Sequence, residues 1–119
     1  MTFEESIRMA LTNNTERYKK TPCFIYLMHI EGTNFYKFGT AENVVKRKNN
    51  IIFEWKKEKG LNVEVAVLFT HKFKSTAKAL YYEAKIRKNL SKKKNVELFG
   101  NDYFYTDMEN ITTVIAKML

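Results

Sequence analysis

The chain has 119 residues, 45% of them hydrophobic and 14% aromatic, enough for one hydrophobic core but not two, and too apolar for a disordered segment. Lysine and arginine number 21 against 13 acidic residues, a formal charge of +8, which favours a polyanionic partner and salt-sensitive association. A single cysteine, Cys23, excludes an internal disulfide and a Cys-rich zinc site. No apolar run approaches the ~20 residues of a bilayer span, so no membrane partner and a reducing, cytoplasm-like compartment are expected.

Thr2 with Glu5 three residues on has the form of a capping box. Phe3, Ile7, Ala10, Leu11 and Tyr18 recur at helical spacing, so residues 3 to about 19 read as an amphipathic helix within an N-terminal extension, 1–21. This helix could serve as a dimer contact or cover the sheet, and the sequence leaves both open. Pro22 blocks its continuation. Cys23 to Ile30 is a near-continuous apolar run of strand length, and Phe35 to Thr40 resumes strand character after Glu31-Gly32-Thr33-Asn34. These segments predict a β-hairpin whose first strand is apolar on both faces and therefore interior in its sheet.

A second helix is predicted over residues 42 to about 59, with Val44, Val45, Ile51, Ile52 and Trp55 as its apolar positions and Gly60 as its C-terminal cap. Asn62 to Phe69 reads as a third strand, with Val63, Val65, Val67 and Phe69 on one side. Ser75 or Thr76 caps a helix to Leu90, with Ala77, Leu80, Tyr81 and Ala84 inward. Lys92-Lys93-Lys94 form an exposed loop. Asp102 to Thr106 is short and aromatic, and residues 107–119 close the chain with a helix whose apolar stripe is Ile111, Val114, Ile115 and Met118. There is no repeat or composition break. The expected architecture is a single α+β domain over 1–119, with a small three-stranded, mainly antiparallel sheet flanked by helices.

Four residues carry the chemistry. Tyr26 lies in the first strand and Lys37 eleven residues later in the second. Arg47 follows Gly39 by eight residues, and Glu83 lies in the later helical pattern. Together they supply a phenol, an ammonium, a guanidinium and a carboxylate, a set suited to in-line attack on a phosphodiester.

In order, spacing and element type, Phe24-Ile25-Tyr26, Lys37-Phe38-Gly39, Arg47, Glu83 and Gly100-Asn101-Asp102-Tyr103-Phe104 resemble the GIY-YIG nuclease superfamily. The likeness covers residues 23–106 and is nearest to its small phage- and virus-associated branch, whose second motif reads Lys-Ile-Gly. The resemblance implies an endonuclease acting on DNA, with RNA left open, in the host cytoplasm if the chain is viral. Tyr26 would act as or position the general base, and Lys37 would favour its phenolate, since a phenol has a pKa of about 10. Arg47 would contact the scissile phosphate. Glu83 would bind one Mg²⁺ or Mn²⁺ through a hard oxygen.

The chain departs from the family pattern in three places. Phe24 replaces a glycine, Lys37 replaces a tyrosine, and Arg87 stands where a histidine often follows the glutamate. Neither His29 nor His71 fits a family position.

Lys85, Arg87, Lys88, Lys92, Lys93 and Lys94 crowd the sequence after Glu83. They read either as a solvated helix face with a loop, or as a phosphate-tracking patch flanked across the cleft by Lys46 and Lys48. No signature of base-edge reading is present, so weak sequence specificity is expected. Two other roles stay open: a catalytically inactive nucleic-acid binder of the same fold, and a phage-type factor that binds a host protein.

Overall fold

The computed structural model describes Phe3, residues 23–99 and residues 103–119. Except for Phe3, the expected N-terminal helix lies outside the described residues, as does Gly100-Asn101-Asp102. Five strands and three helices are described. They are β1 (Cys23–Ile30), β2 (Phe35–Ala41), α1 (Val44–Lys59), β3 (Val65–Phe73), α2 (Thr76–Ser91), β4 (Glu97–Phe99), β5 (Tyr103–Tyr105) and α3 (Met108–Met118). The fold is α+β. The strands form one sheet in the order β3-β1-β2-β5-β4, and every pairing is antiparallel. The sheet therefore has five strands where three were expected. β4 and β5 are three residues each, too short to show an alternation that could be read from sequence.

β1 lies between β3 and β2, and both its faces are covered, which is why its sequence is apolar throughout. Cys23, Ile25 and Leu27 face the larger core, together with Tyr36, Phe38, Phe73, Phe104 and residues of α2 and α3. Tyr26 and Met28 face the other side and pack with Ile51 of α1 and Val65. Each fully buried side chain of this size stabilises the fold by about 1.5–3 kcal/mol. The hairpin closes through Gly32 at φ 80, while the Thr33 hydroxyl donates to the Ile30 carbonyl at 2.6 Å.

In β3 the expected single apolar face is split. Leu27 pairs with Phe69 and Met28 with Val67, so Leu68 is an extra residue. A one-residue bulge moves everything beyond it to the other face. Val65 therefore joins the α1 side, and Phe69 packs on the larger core.

Gly60 caps α1 in the left-handed region at φ 66; its amide donates to the Lys56 carbonyl at 3.1 Å and the next amide, that of Leu61, donates to the Trp55 carbonyl at 3.3 Å. Val44, Ile51, Ile52 and Trp55 pack inward as expected, but Val45 is 69% exposed. Ser75 caps α2. The apolar face expected for α2 was out of phase: Leu80, Tyr81 and Ala84 are exposed, and the buried positions are Thr76, Ala79, Ile86 and Leu90. Both stripes recur at helical spacing, and only packing against β1 and β2 decides between them. α3 follows expectation, with Asp107 as its cap and Ile111, Val114 and Ile115 buried. No helix of the described residues is long and apolar enough to cross a membrane.

Candidate active site

Tyr26 on β1 is paired directly with Gly39 on β2, so both residues address the α1 side of the sheet. The phenol ring lies across β2 at this point. A Cβ on Gly39 would meet Tyr26 Oη at 2.8 Å and Glu83 Oε1 at 3.5 Å. Glycine is therefore required by close approach, because a Cβ would press into the Tyr26 phenol.

Arg47 comes from the first turns of α1, which Asn43 caps by accepting from the Lys46 amide. Its Nε donates to Tyr26 Oη at 3.5 Å. A phenol, a guanidinium and a carboxylate from β1, α1 and α2 thus converge on the backbone of Gly39. Beside them a shallow groove is lined by Thr40, Glu42, Lys46, Arg47 and Asn50.

Glu83 reaches this point because β5 pairs with β2 only through Phe35, Tyr36 and Lys37. Beyond Lys37, α2 lies along the edge of β2. The guanidinium of Arg87, one turn after Glu83, donates through Nη2 to the Phe38 carbonyl at 3.2 Å and to Glu83 Oε1 at 3.1 Å. The pair is half-buried, with the Glu83 side chain 15% exposed and Arg87 28% exposed. The i, i+4 spacing of glutamate and arginine is a helical ion-pair signal. It could have paired these two residues from sequence, whereas the contact with Phe38 had no such signal.

Lys37 lies on the same sheet face, opposite Tyr103 of β5. Its ammonium is 4.7 Å from the centre of the Tyr103 ring, and the residue is 7% exposed. Trp55 donates its indole N–H to Tyr103 Oη at 2.9 Å. Glu54, Glu58 and Lys59 complete a recess around Lys37. Lys37 is thus directed towards an aromatic pair, and it is Arg47 whose cation is described at the Tyr26 oxygen. Tyr36 points to the opposite face and is buried in the larger core, as strand alternation requires.

Of the basic residues near Glu83, Arg87 touches it. Lys85 is more than half a turn away round α2, with its ammonium 6.0 Å from the Tyr81 ring. Lys88, Lys92 and Lys94 are exposed and Lys93 is half-buried at the C-terminal end of α2. Across the groove, Lys46 is exposed and Lys48 half-buried. His29 bonds the Thr33 carbonyl through Nε2 and stacks on Tyr36. His71 lies beside Phe73. Among the described residues no three His, Cys, Asp or Glu side chains group as a metal cluster.

No family model matches the chain, and no curated protein or solved structure matches it.

Proposed function

We propose that the chain is a metal-dependent endonuclease that hydrolyses phosphodiester bonds of DNA on a GIY-YIG-like domain. One observation carries this reading. Tyr26 Oη and Glu83 Oε1 lie 2.8 and 3.5 Å from the position a Cβ of Gly39 would take, with Arg47 Nε 3.5 Å from the phenol oxygen. The charge of +8 supports a polyanionic substrate.

In this reading Tyr26 Oη takes or directs the proton of the attacking water. Arg47 binds the scissile phosphate beside it and stabilises the charge that develops there. Its guanidinium also favours the phenolate form of Tyr26, a role the resemblance gave to Lys37. Lys37 holds the Tyr103–Trp55 wall of the same sheet face.

Glu83 fits one Mg²⁺ or Mn²⁺. A carboxylate is a hard donor with two oxygens, and this side chain is 15% exposed. When bound, the ion would supply charge neutralisation for the departing oxygen.

The deciding experiment incubates plasmid and single-stranded DNA with Mg²⁺ or Mn²⁺. Wild type is expected to nick or cut, and Glu83→Gln, with an unchanged circular dichroism spectrum, is expected to be inert. Equal cleavage by both proteins, or none by the wild type, removes the reading.

A second reading is favoured by one contact. Glu83 already carries a cation, the Arg87 guanidinium at 3.1 Å, as it would in a protein that binds nucleic acid without cutting it. Calorimetry with Mn²⁺ separates the two, because the binder releases no heat that depends on Glu83.

A further inference from the structure

We infer that Arg87 gates the divalent-cation site: its guanidinium holds the Glu83 carboxylate in the free protein and yields it when a phosphodiester takes the guanidinium. The inference rests on the nuclease reading of the same pocket and describes how that pocket would be regulated.

The geometry is a bridge. Arg87 Nη2 lies 3.1 Å from Glu83 Oε1 and 3.2 Å from the Phe38 carbonyl, so one guanidinium ties the carboxylate to the edge of β2 just beyond its last pairing with β5. The pair is half-buried, so solvent and salt screen it less than a surface pair. An incoming divalent ion needs the charge that Arg87 already compensates. Placing both cations on one carboxylate also sets them against each other at close range.

A phosphodiester changes the balance. Guanidinium is a planar fork of donors that matches phosphate oxygens two at a time. A DNA backbone that Arg47 holds would offer the partly exposed Arg87 guanidinium a second anion, and Glu83 is then left to the metal. Polymer and ion must therefore raise each other's affinity by the same factor, since binding couplings are reciprocal. The free protein holds the ion weakly, and the site assembles on substrate.

The test titrates Mn²⁺ by calorimetry and by electron paramagnetic resonance, without DNA, into wild type, Arg87→Gln, Arg87→Lys and Glu83→Gln. A neighbouring opposite charge lowers the proton affinity of a carboxylate by roughly one to three decades, and it opposes a metal cation at the same oxygens in the same direction. Arg87→Gln is therefore expected to bind Mn²⁺ about tenfold or more tighter than wild type, and Arg87→Lys to stay near wild type because the charge remains. In a second arm, fluorescence anisotropy of a short labelled oligonucleotide is followed with and without Mn²⁺ in a Tyr26→Phe background, which blocks turnover. Mn²⁺ is expected to tighten oligonucleotide binding with Arg87 present, and this coupling should vanish with Arg87→Gln.

Glu83-dependent Mn²⁺ binding that Arg87→Gln leaves unchanged or weakens overturns the gate while leaving the nuclease reading standing. So does an Arg87→Lys protein that binds as tightly as Arg87→Gln. If no variant shows Glu83-dependent binding, the metal reading fails and the gate falls with it. Thermal unfolding of each variant confirms that the folded protein is being titrated.

Discussion

The phenol of Tyr26 lies where a side chain of Gly39 would have to be. The two residues are cross-strand partners on β1 and β2, and a Cβ added to Gly39 would stand 2.8 Å from Tyr26 Oη and 3.1 Å from its Cζ. Tyr26 is only 1% exposed and packs against Met28, Ile51 and Val65. The ring therefore has little room to retreat, and the glycine sets the position of the oxygen on which the proposed chemistry depends.

Gly39→Ala should accordingly destabilise the protein by about 1–3 kcal/mol, the usual cost of inserting a methyl into a filled site. Removing the clashing oxygen with Tyr26→Phe should relieve part of that cost, so the two substitutions should be non-additive, as expected for residues in contact. Urea denaturation of both single variants and the double variant measures this. Simple additivity would mean that Gly39 is required for some reason other than the phenol.

Tyr26→Phe keeps the ring and the packing and removes only the oxygen. On the proposed mechanism it should lower single-turnover cleavage by about 10²–10³-fold, the range seen when one positioned polar group is lost from an active site. Affinity for a labelled oligonucleotide should be nearly unchanged. Arg47→Lys should lose cleavage as well, because an ammonium cannot reproduce a planar donor fork between phenol and phosphate. A Tyr26→Phe protein that fails to bind DNA would assign the tyrosine to packing.

The elements that define this pocket were readable where hydrophobic period and turn chemistry agreed. The hairpin, the apolar first strand and the caps at Ser75 and Gly60 are local signals, and the structure carries them as expected. Two features were hidden because they arise only from tertiary packing. The bulge at Leu68 reverses the face of β3 without any break in its apolar pattern. In α2 two apolar stripes compete, and the one containing Ala79, Ile86 and Leu90 is buried because β1 and β2 meet it there. That rotation carries Glu83 and Arg87 to the edge of β2, so the site depends on a phase the sequence left open. The direction of Lys37 was equally hidden, since β5, which supplies Tyr103, is too short to announce itself.

Salt dependence should distinguish nucleic-acid binding from capture of a host protein. If Lys88, Lys92 and Lys94 track the backbone, log affinity for DNA should fall linearly with log salt. Each Lys→Gln change should then lower the slope by about 1 while weakening all sequences alike. A flat salt response with weak DNA affinity would favour a protein partner and leave the lysines as a solvated helix end.

The larger core makes the stability of the fold depend on alkaline pH, whatever the protein's function. Tyr36 is 2% exposed, and its phenol is pushed above the ordinary value, first by burial and then by the negative charge of Asp107. The Cys23 thiol is also raised, chiefly by burial, against an opposing hydrogen bond from Thr76. For both groups the folded chain keeps a proton that the unfolded chain gives up. The unfolded state therefore binds fewer protons as pH rises past about 8.5 for the thiol and about 10 for the phenol. Stability must fall in that range. The contribution is complete below those unfolded values and is lost as pH climbs through the higher folded ones. Urea midpoints of wild type, Tyr36→Phe and Cys23→Ala, followed from about pH 8 to about pH 11, should show wild type losing ground to each variant, first to Cys23→Ala and then to Tyr36→Phe. Parallel curves would mean that neither group is held protonated by the core, and that the alkaline limit of this fold lies in its lysines instead.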